Sequence, residues 1–236
     1  MLAERLGAPV EPRLWWALRT FAPLVHAPLG GPWSFGRDQA FEAAPMTPTR
    51  PGSEAALQRL LWRYLEGFGP ATAQDFAQFT LQRRAEVVPA LEALADRLET
   101  IEGPDGETLF DIPGADLPSE DTPAPPRLLG MWDSILLAYR DRSRVIPDDF
   151  RVHVIRRNGD VLPTVLVDGL VAGVWRPVDD GIEVRAFRKL TDGDWDGIGL
   201  EAEGLASLIA GHDPATYRRY ANWWGKLPEG EIRTLA

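Results

Sequence analysis

No cysteine occurs in the 236 residues. That absence excludes disulfides, thiolate zinc sites and thiol nucleophiles together, and it fits a reducing cytoplasm. Histidine is nearly as scarce, since His26, His153 and His212 lie far apart and outside any ligand-spaced pair. No metal site is expected from them. No apolar run approaches the roughly 20 residues that cross a bilayer, and Met1-Leu2-Ala3-Glu4-Arg5 lacks the basic-then-apolar layout of a signal peptide, so no membrane partner is expected. The chain also has no phosphate-cradling glycine loop followed by lysine, and Ser143, between Arg142 and Arg144, lacks the flanking glycines of a nucleophile elbow. Asp179-Asp180 and the trio Asp192, Asp194 and Asp196 lack the glycine and terminal glutamate of a calcium loop, and they read as solvated turns. No cofactor is implied.

What is present is a globular composition, with 44% hydrophobic residues in a chain long enough for one large core or two to three small ones. The net charge of −10 opposes a general attraction to nucleic-acid phosphates. Its distribution is uneven. Glu102, Asp105, Glu107, Asp111, Asp116, Glu120 and Asp121 form a stretch free of Lys and Arg, whereas Arg140, Arg142, Arg144, Arg151, Arg156 and Arg157 cluster soon afterwards. Positive charge is therefore local; its plainer reading is the solvated face of a β-rich domain.

The stretch from Ser53 to Ile112 organises the rest. Leu57, Leu60, Leu61, Tyr64, Leu65 and Phe68 recur at helical spacing after a Ser53 N-cap, and Gly67, Gly69 and Pro70 end that helix. Thr72 with Asp75 has the spacing of a capping box for a second helix over residues 72–79. A third helical run over 82–98 carries Val87, Val88, Leu91, Leu94 and Leu98, with Pro89 expected to kink it. Residues 99–102 and Thr108 to Ile112 then form a hairpin around Gly103-Pro104-Asp105-Gly106. Three helices and a ribbon read as a winged helix, in which Gln82, Arg83 and Arg84 start the helix offered to the major groove. The same letters also describe a helical subdomain with a terminal hairpin and no ligand, because fold does not establish function.

Upstream, Met1 to Gly7 reads as a helix tail and Pro12 to Phe21 as a short helix. Leu24 to Ala27, a turn at Gly30-Gly31-Pro32, Trp33 to Phe35 and Ala40 to Ala43 read as strand, turn and return. This is the second half of another winged helix, which suggests a shortened family member or a fragment, and residues 44–52 link it to the central unit. Downstream, residues 113–126 are a Pro- and Asp-rich connector. Arg127 to Tyr139 is a largely buried apolar run, expected to be extended at its end. After one helical turn at Asp148 to Arg151, strands are expected at 152–156, 161–167, 170–177 and 181–188, with Asp168-Gly169 as a tight turn and a small barrel as the outcome. A polar loop at 192–197, helices at 200–210 and 214–224, and a featureless last twelve residues complete the reading. Trp15, Trp16, Trp62 and Trp132 are expected in cores, and Trp223-Trp224 in terminal packing or an interface.

Several segments resemble one family. Phe68-Gly-Pro-Ala-Thr-Ala-Gln-Asp-Phe-Ala77, residues 121–129, residues 141–146 and above all Arg156-Arg-Asn-Gly-Asp-Val-Leu-Pro-Thr-Val-Leu-Val-Asp-Gly-Leu-Val-Ala-Gly-Val-Trp175 are similar to bacterial winged-helix DNA-binding proteins related to the AlkZ and YcaQ DNA glycosylases. The resemblance covers residues 14–210. It implies an α+β chain of tandem winged helices (1–46 incomplete, 53–118 complete), an antiparallel barrel-like domain at 124–190 and C-terminal helices at 191–236. It further implies a clamp on double-stranded DNA, serving repair of alkylated or crosslinked bases. In the enzymes a Gln-x-Gln motif positions water. The glutamines here, Gln39, Gln58, Gln74, Gln78 and Gln82, include no such pair, so catalytic residues are not assigned and impaired excision is expected. The DNA contacts expected are Gln82, Arg83, Arg84, Arg142, Arg144, Arg156 and Arg157. The alternative is a non-enzymatic regulator or protein-interaction module built on the same helices.

Overall fold

The computed structural model describes residues 7, 9, 11–28, 40–45, 53–115, 117–210 and 220–236. They fall into two compact units, 1–51 and 52–236. In the first, helix α1 (Pro12–Phe21) opens on a proline, whose missing N–H would have no partner there. Strands β1 (Leu24–Ala27) and β2 (Ala40–Ala43) follow as an antiparallel pair with Leu24 opposite Ala43. The Trp15 ring meets Phe41 edge-on at 5.5 Å and so ties the helix to the ribbon. The expected strand at 33–35, the glycine turn before it, most of the tail at 1–7 and most of the linker lie outside the described residues.

The second unit begins with α2 (Ser53–Phe68), α3 (Ala73–Thr80) and α4 (Arg84–Glu92). Leu61, Tyr64, Leu65, Phe76, Val87, Leu91 and Leu94 share one core, each side chain contributing about 1.5–3 kcal/mol by burial. Leu60 departs from the expected stripe and is 45% exposed. The capping box forms: Asp75 N donates to Thr72 Oγ1 at 3.0 Å and Thr72 N donates to Asp75 Oδ2 at 2.9 Å. The third helix is shorter than the 82–98 expected, because Pro89 sits inside it and the chain tightens into a 3-10 turn at Ala95–Arg97. Strands β3 (Glu99–Glu102) and β4 (Thr108–Asp111) then form the antiparallel ribbon, and Phe110 bridges to Ala71 at the foot of α3.

The remainder is an antiparallel sheet of β5 (Arg127–Leu129), β6 (Thr164–Val167), β7 (Leu170–Val178), β8 (Gly181–Ala186) and β9 (Ile232–Leu235), neighbours in that order. Asp168 and Gly169 take φ of 53° and 72°, the left-handed pair that a two-residue hairpin turn demands. Helix α6 (Asp192–Ile209) contributes Trp195, Ile198 and Ala202 to a core with Val165, Trp175 and Val184. A second core gathers Leu136, Ile146, Val154, Leu166 and Val171, and a short helix α7 (Ala221–Trp224) packs Trp224 near Val174.

Several segments fold differently from expectation. The run 127–139 is extended at its start and turns into a 3-10 helix at Ser134–Leu136, where the Asp133 carboxylate accepts from the Ile135 N–H. Residues 152–154 are not strand, because helix α5 (Asp148–Val154) continues through them from an N-terminus with Pro147, Asp148 and Asp149, leaving only an Ile155–Val161 bridge. The expected loop at 192–197 is the start of α6, where Thr191 and Asp194 form a second capping box. The featureless end contains β9, and of the expected helix at 214–224 only the last turn is described. None of the four tryptophans expected in cores is buried; Trp175, Trp195 and Trp224 are. Trp62 lies one position off the inward stripe and bonds Glu66, while the Trp132 indole donates to the Gly159 carbonyl.

Candidate nucleic-acid interface

The arginine-rich turn after Ala138 is held against the helices by backbone groups. Arg140 N donates to Asp75 Oδ1 at 2.7 Å and Tyr139 Oη to the Phe68 carbonyl at 3.1 Å. Val145 N and Ile146 N both donate to the Arg142 carbonyl, and Ser143 N donates to Asp141. That last bond, more than the charges of Arg144 and Arg151, holds the Asp141 carboxyl below its ordinary range. The turn is thus fixed at both ends, and its arginines project from a firm base.

Two groups of cations result. The first lines a groove of about 920 Å³ between α3, α4, the ribbon and the turn, where Arg84, Arg140 and Arg144 share the walls with Glu92, Asp105 and Glu107. Arg144 lies over the Tyr139 ring at 4.8 Å and Arg140 Nη1 donates to Gln74 at 3.1 Å. Mixed signs make this groove a weak attractor for phosphates.

The second group flanks α5. Arg142 is half-buried with its Nε shielded and unpartnered, and burial together with the neighbouring Arg151 pushes its guanidinium pKa down. Arg156 has both Nε and Nη2 shielded and unpartnered, and burial lowers its pKa likewise. Its guanidinium sits 4.4 Å from the centre of the Trp223 ring. His153, in the last turn of α5 and not in a strand, is held below its ordinary value by burial and by Arg156. Neither Arg142 nor Arg156 forms an ion pair among the described residues. A half-desolvated cation without a counter-ion is costly in the free protein and suited to an incoming anion.

The residues expected to meet DNA are therefore divided. Arg84 and Arg144 share the groove, Arg142 and Arg156 belong to the α5 group, and Arg157 is exposed in the turn after it. Gln82 and Arg83 join neither group: Gln82 bonds back to the Thr80 carbonyl, and Arg83 is paired with Glu86 on its own helix. Trp223 and Lys226, absent from that expectation, enter through the fold alone; the only local signal was an aromatic pair beside a lysine near the chain end. Among the described residues no three His, Asp or Glu side chains converge as a metal site would require, and no helix is long and apolar enough to cross a membrane.

Comparison with known proteins agrees with this architecture. A family model described as DNA glycosylase AlkZ-like matches residues 2–208. Among solved structures, a Streptomyces sahachiroi DNA glycosylase AlkZ matches with 23% identity and a TM-score of 0.62, over 78% of this chain and 51% of that one. The chain thus spans about half the length of that structure, and the likeness speaks for the fold. No curated protein matches the chain.

Proposed function

The chain belongs to the DNA glycosylase AlkZ-like family, and from that premise we propose that it binds double-stranded DNA in the cytoplasm and takes part in recognising alkylated or crosslinked bases. The observation that carries this reading is the α5 group, where Arg142 and Arg156 are partly desolvated yet lack carboxylate partners among the described residues. Such charges lower their free energy when phosphates supply the missing counter-ions. In this reading the helix-and-ribbon segments at 1–46 and 53–118 are winged helices, 124–190 is the barrel-like module and 191–236 adds the closing helices. Arg142, Arg144, Arg156 and Arg157 contact the backbone, with Gln82, Arg83 and Arg84 nearer the groove edge.

Base excision by this chain is impaired. Among its glutamines no Gln-x-Gln occurs, and the reaction needs a group that orients or deprotonates water beside the anomeric carbon. A clamp without that group holds DNA but does not direct the water. A regulator that reads operators is less well supported, because α4 is only nine residues long and its leading Arg83 is tied to Glu86.

The test is equilibrium binding of the whole chain to intact duplex and to duplex carrying one bulky alkyl-purine, across a salt series. Binding to both with a steep salt dependence is expected, together with no alkali-labile breaks in a single-turnover reaction. Absence of binding at low salt would sink the proposal, and rapid excision would overturn its second part.

A further inference from the structure

Trp223 carries two cations against its ring. Arg156 Cζ lies 4.4 Å and Lys226 Nζ 4.8 Å from the ring centre. The ring is itself half-buried beside Trp224 and packs against the core containing Leu162 and Val174, which makes it a fixed support for two charges. Stacking also restricts Arg156 sharply: its Nε and Nη2 are shielded, leaving Nη1 as its open donor. Lys226 is exposed, and neither cation has an ion-pair partner among the described residues.

We propose that the Arg156–Trp223–Lys226 stack is a two-point grip for phosphodiester groups of the DNA backbone, with Trp223 as its positioning residue. This rests on the DNA-binding reading above and extends it to a segment that the binding motif of a winged helix does not include. The donor set suits phosphate oxygens: with Nε and Nη2 shielded, Arg156 cannot present the two-nitrogen fork by which an arginine reads guanine, and it offers a single directed N–H group beside the Lys226 ammonium. Its contribution is thus independent of sequence. The indole lowers the mobility of both cations before DNA arrives, so less side-chain freedom is lost on binding.

The experiment is salt-dependent binding of a random-sequence duplex by the full chain and by Arg156→Gln, Lys226→Gln, Trp223→Leu and Trp223→Phe. Each charge removal should weaken binding severalfold and reduce the salt slope by roughly one unit. Trp223→Leu should weaken binding with the slope unchanged, because both charges remain, and Trp223→Phe should recover most of the loss. A charge-only patch would leave the leucine variant at wild-type affinity and would overturn the role of the ring. Lys226 is exposed, so its variant folds in any case; wild-type affinity and slope for Lys226→Gln would overturn the grip. If the unaltered chain bound no duplex, the failure would lie with the DNA-binding reading itself.

Discussion

The Tyr64 hydroxyl donates to the Ala138 carbonyl across 2.7 Å, joining α2 to a segment 74 residues later. That bond is buried and sits where the arginine-rich turn leaves the helices, so it belongs both to the helical core and to the placement of the candidate interface. Replacing Tyr64 with Phe removes the donor and leaves the carbonyl without its partner, at a cost of about 1 kcal/mol. Urea denaturation should show a lower midpoint with an unchanged slope.

Alkaline pH should weaken the second unit through the same region. Burial is the main cause that raises the Tyr64 phenol above its ordinary 10.0, reinforced by Asp75. Tyr139 is raised from 10.0 as well, again chiefly by burial. Above that value the folded state holds protons that the unfolded state releases, so stability falls as pH rises. The contribution is complete below the ordinary value and declines from there toward the raised folded one. Tyr64→Phe and Tyr139→Phe should each flatten the decline of unfolding free energy through that window; an unchanged slope in both would place its origin elsewhere.

Asp75 serves two partners, accepting from Thr72 and from Arg140 N. Asp75→Ala removes the carboxylate half of the α3 capping box and frees the start of the turn, which should cost about 2 kcal/mol. DNA affinity should fall as well, although Asp75 carries no positive charge. Calorimetric melting and binding measured together check this pair of outcomes.

Arg142 predicts opposite signs for stability and binding. Its guanidinium is partly desolvated beside Arg151 and has no ion-pair partner among the described residues. Arg142→Leu should therefore raise the melting temperature of the free protein while weakening DNA binding. A fall in both would show that the arginine is held by packing.

At the start of α6, Thr191→Ala removes the acceptor of Asp194 N, a bond of 3.1 Å. The loss should be about 1 kcal/mol. Asp194 is held below its ordinary range, first by the Thr191 backbone N–H. Its contribution is present above the unfolded carboxyl value and is lost as pH falls through the folded one; because Thr191→Ala keeps that backbone N–H, acid should lower parent and variant together and leave most of the gap between them.

Local patterns carried the helical half of the unit: the Thr72–Asp75 spacing, the inward stripe of α2 apart from Leu60 and the ribbon around Gly106 stand where letters alone placed them. The same spacing at Thr191 and Asp194 went unread because Gly193, Gly197 and Gly199 weaken helix propensity over that stretch. Alternation misled at Val152-His153-Val154, where β-branched residues sit in a helix whose start is set by Pro147 and two aspartates. The cations of the interface were visible as arginines, but not their division. The pairing of Arg83 with Glu86 three residues on is local, whereas whether Arg156 finds Trp223 far along the chain depends on tertiary neighbours that no local period records.

Strand β9 lies along β8 with Leu235 opposite Ile182 and Ile232 opposite Arg185. At the other end of the sheet, Glu201 of α6 accepts from the backbone N–H of Leu128 on β5. The sheet therefore ends on the four-residue β9 at one border, and at the other an edge N–H of β5 is engaged by a helix. Stripping away residues 230–236 would bare the ladder groups of β8 beside the apolar Ile182 and Val184, a template on which a second molecule could add its own strand. The short segment at the end of the sheet therefore protects against self-association as well as completing a layer, and its effect would be read in light scattering before any change in secondary structure.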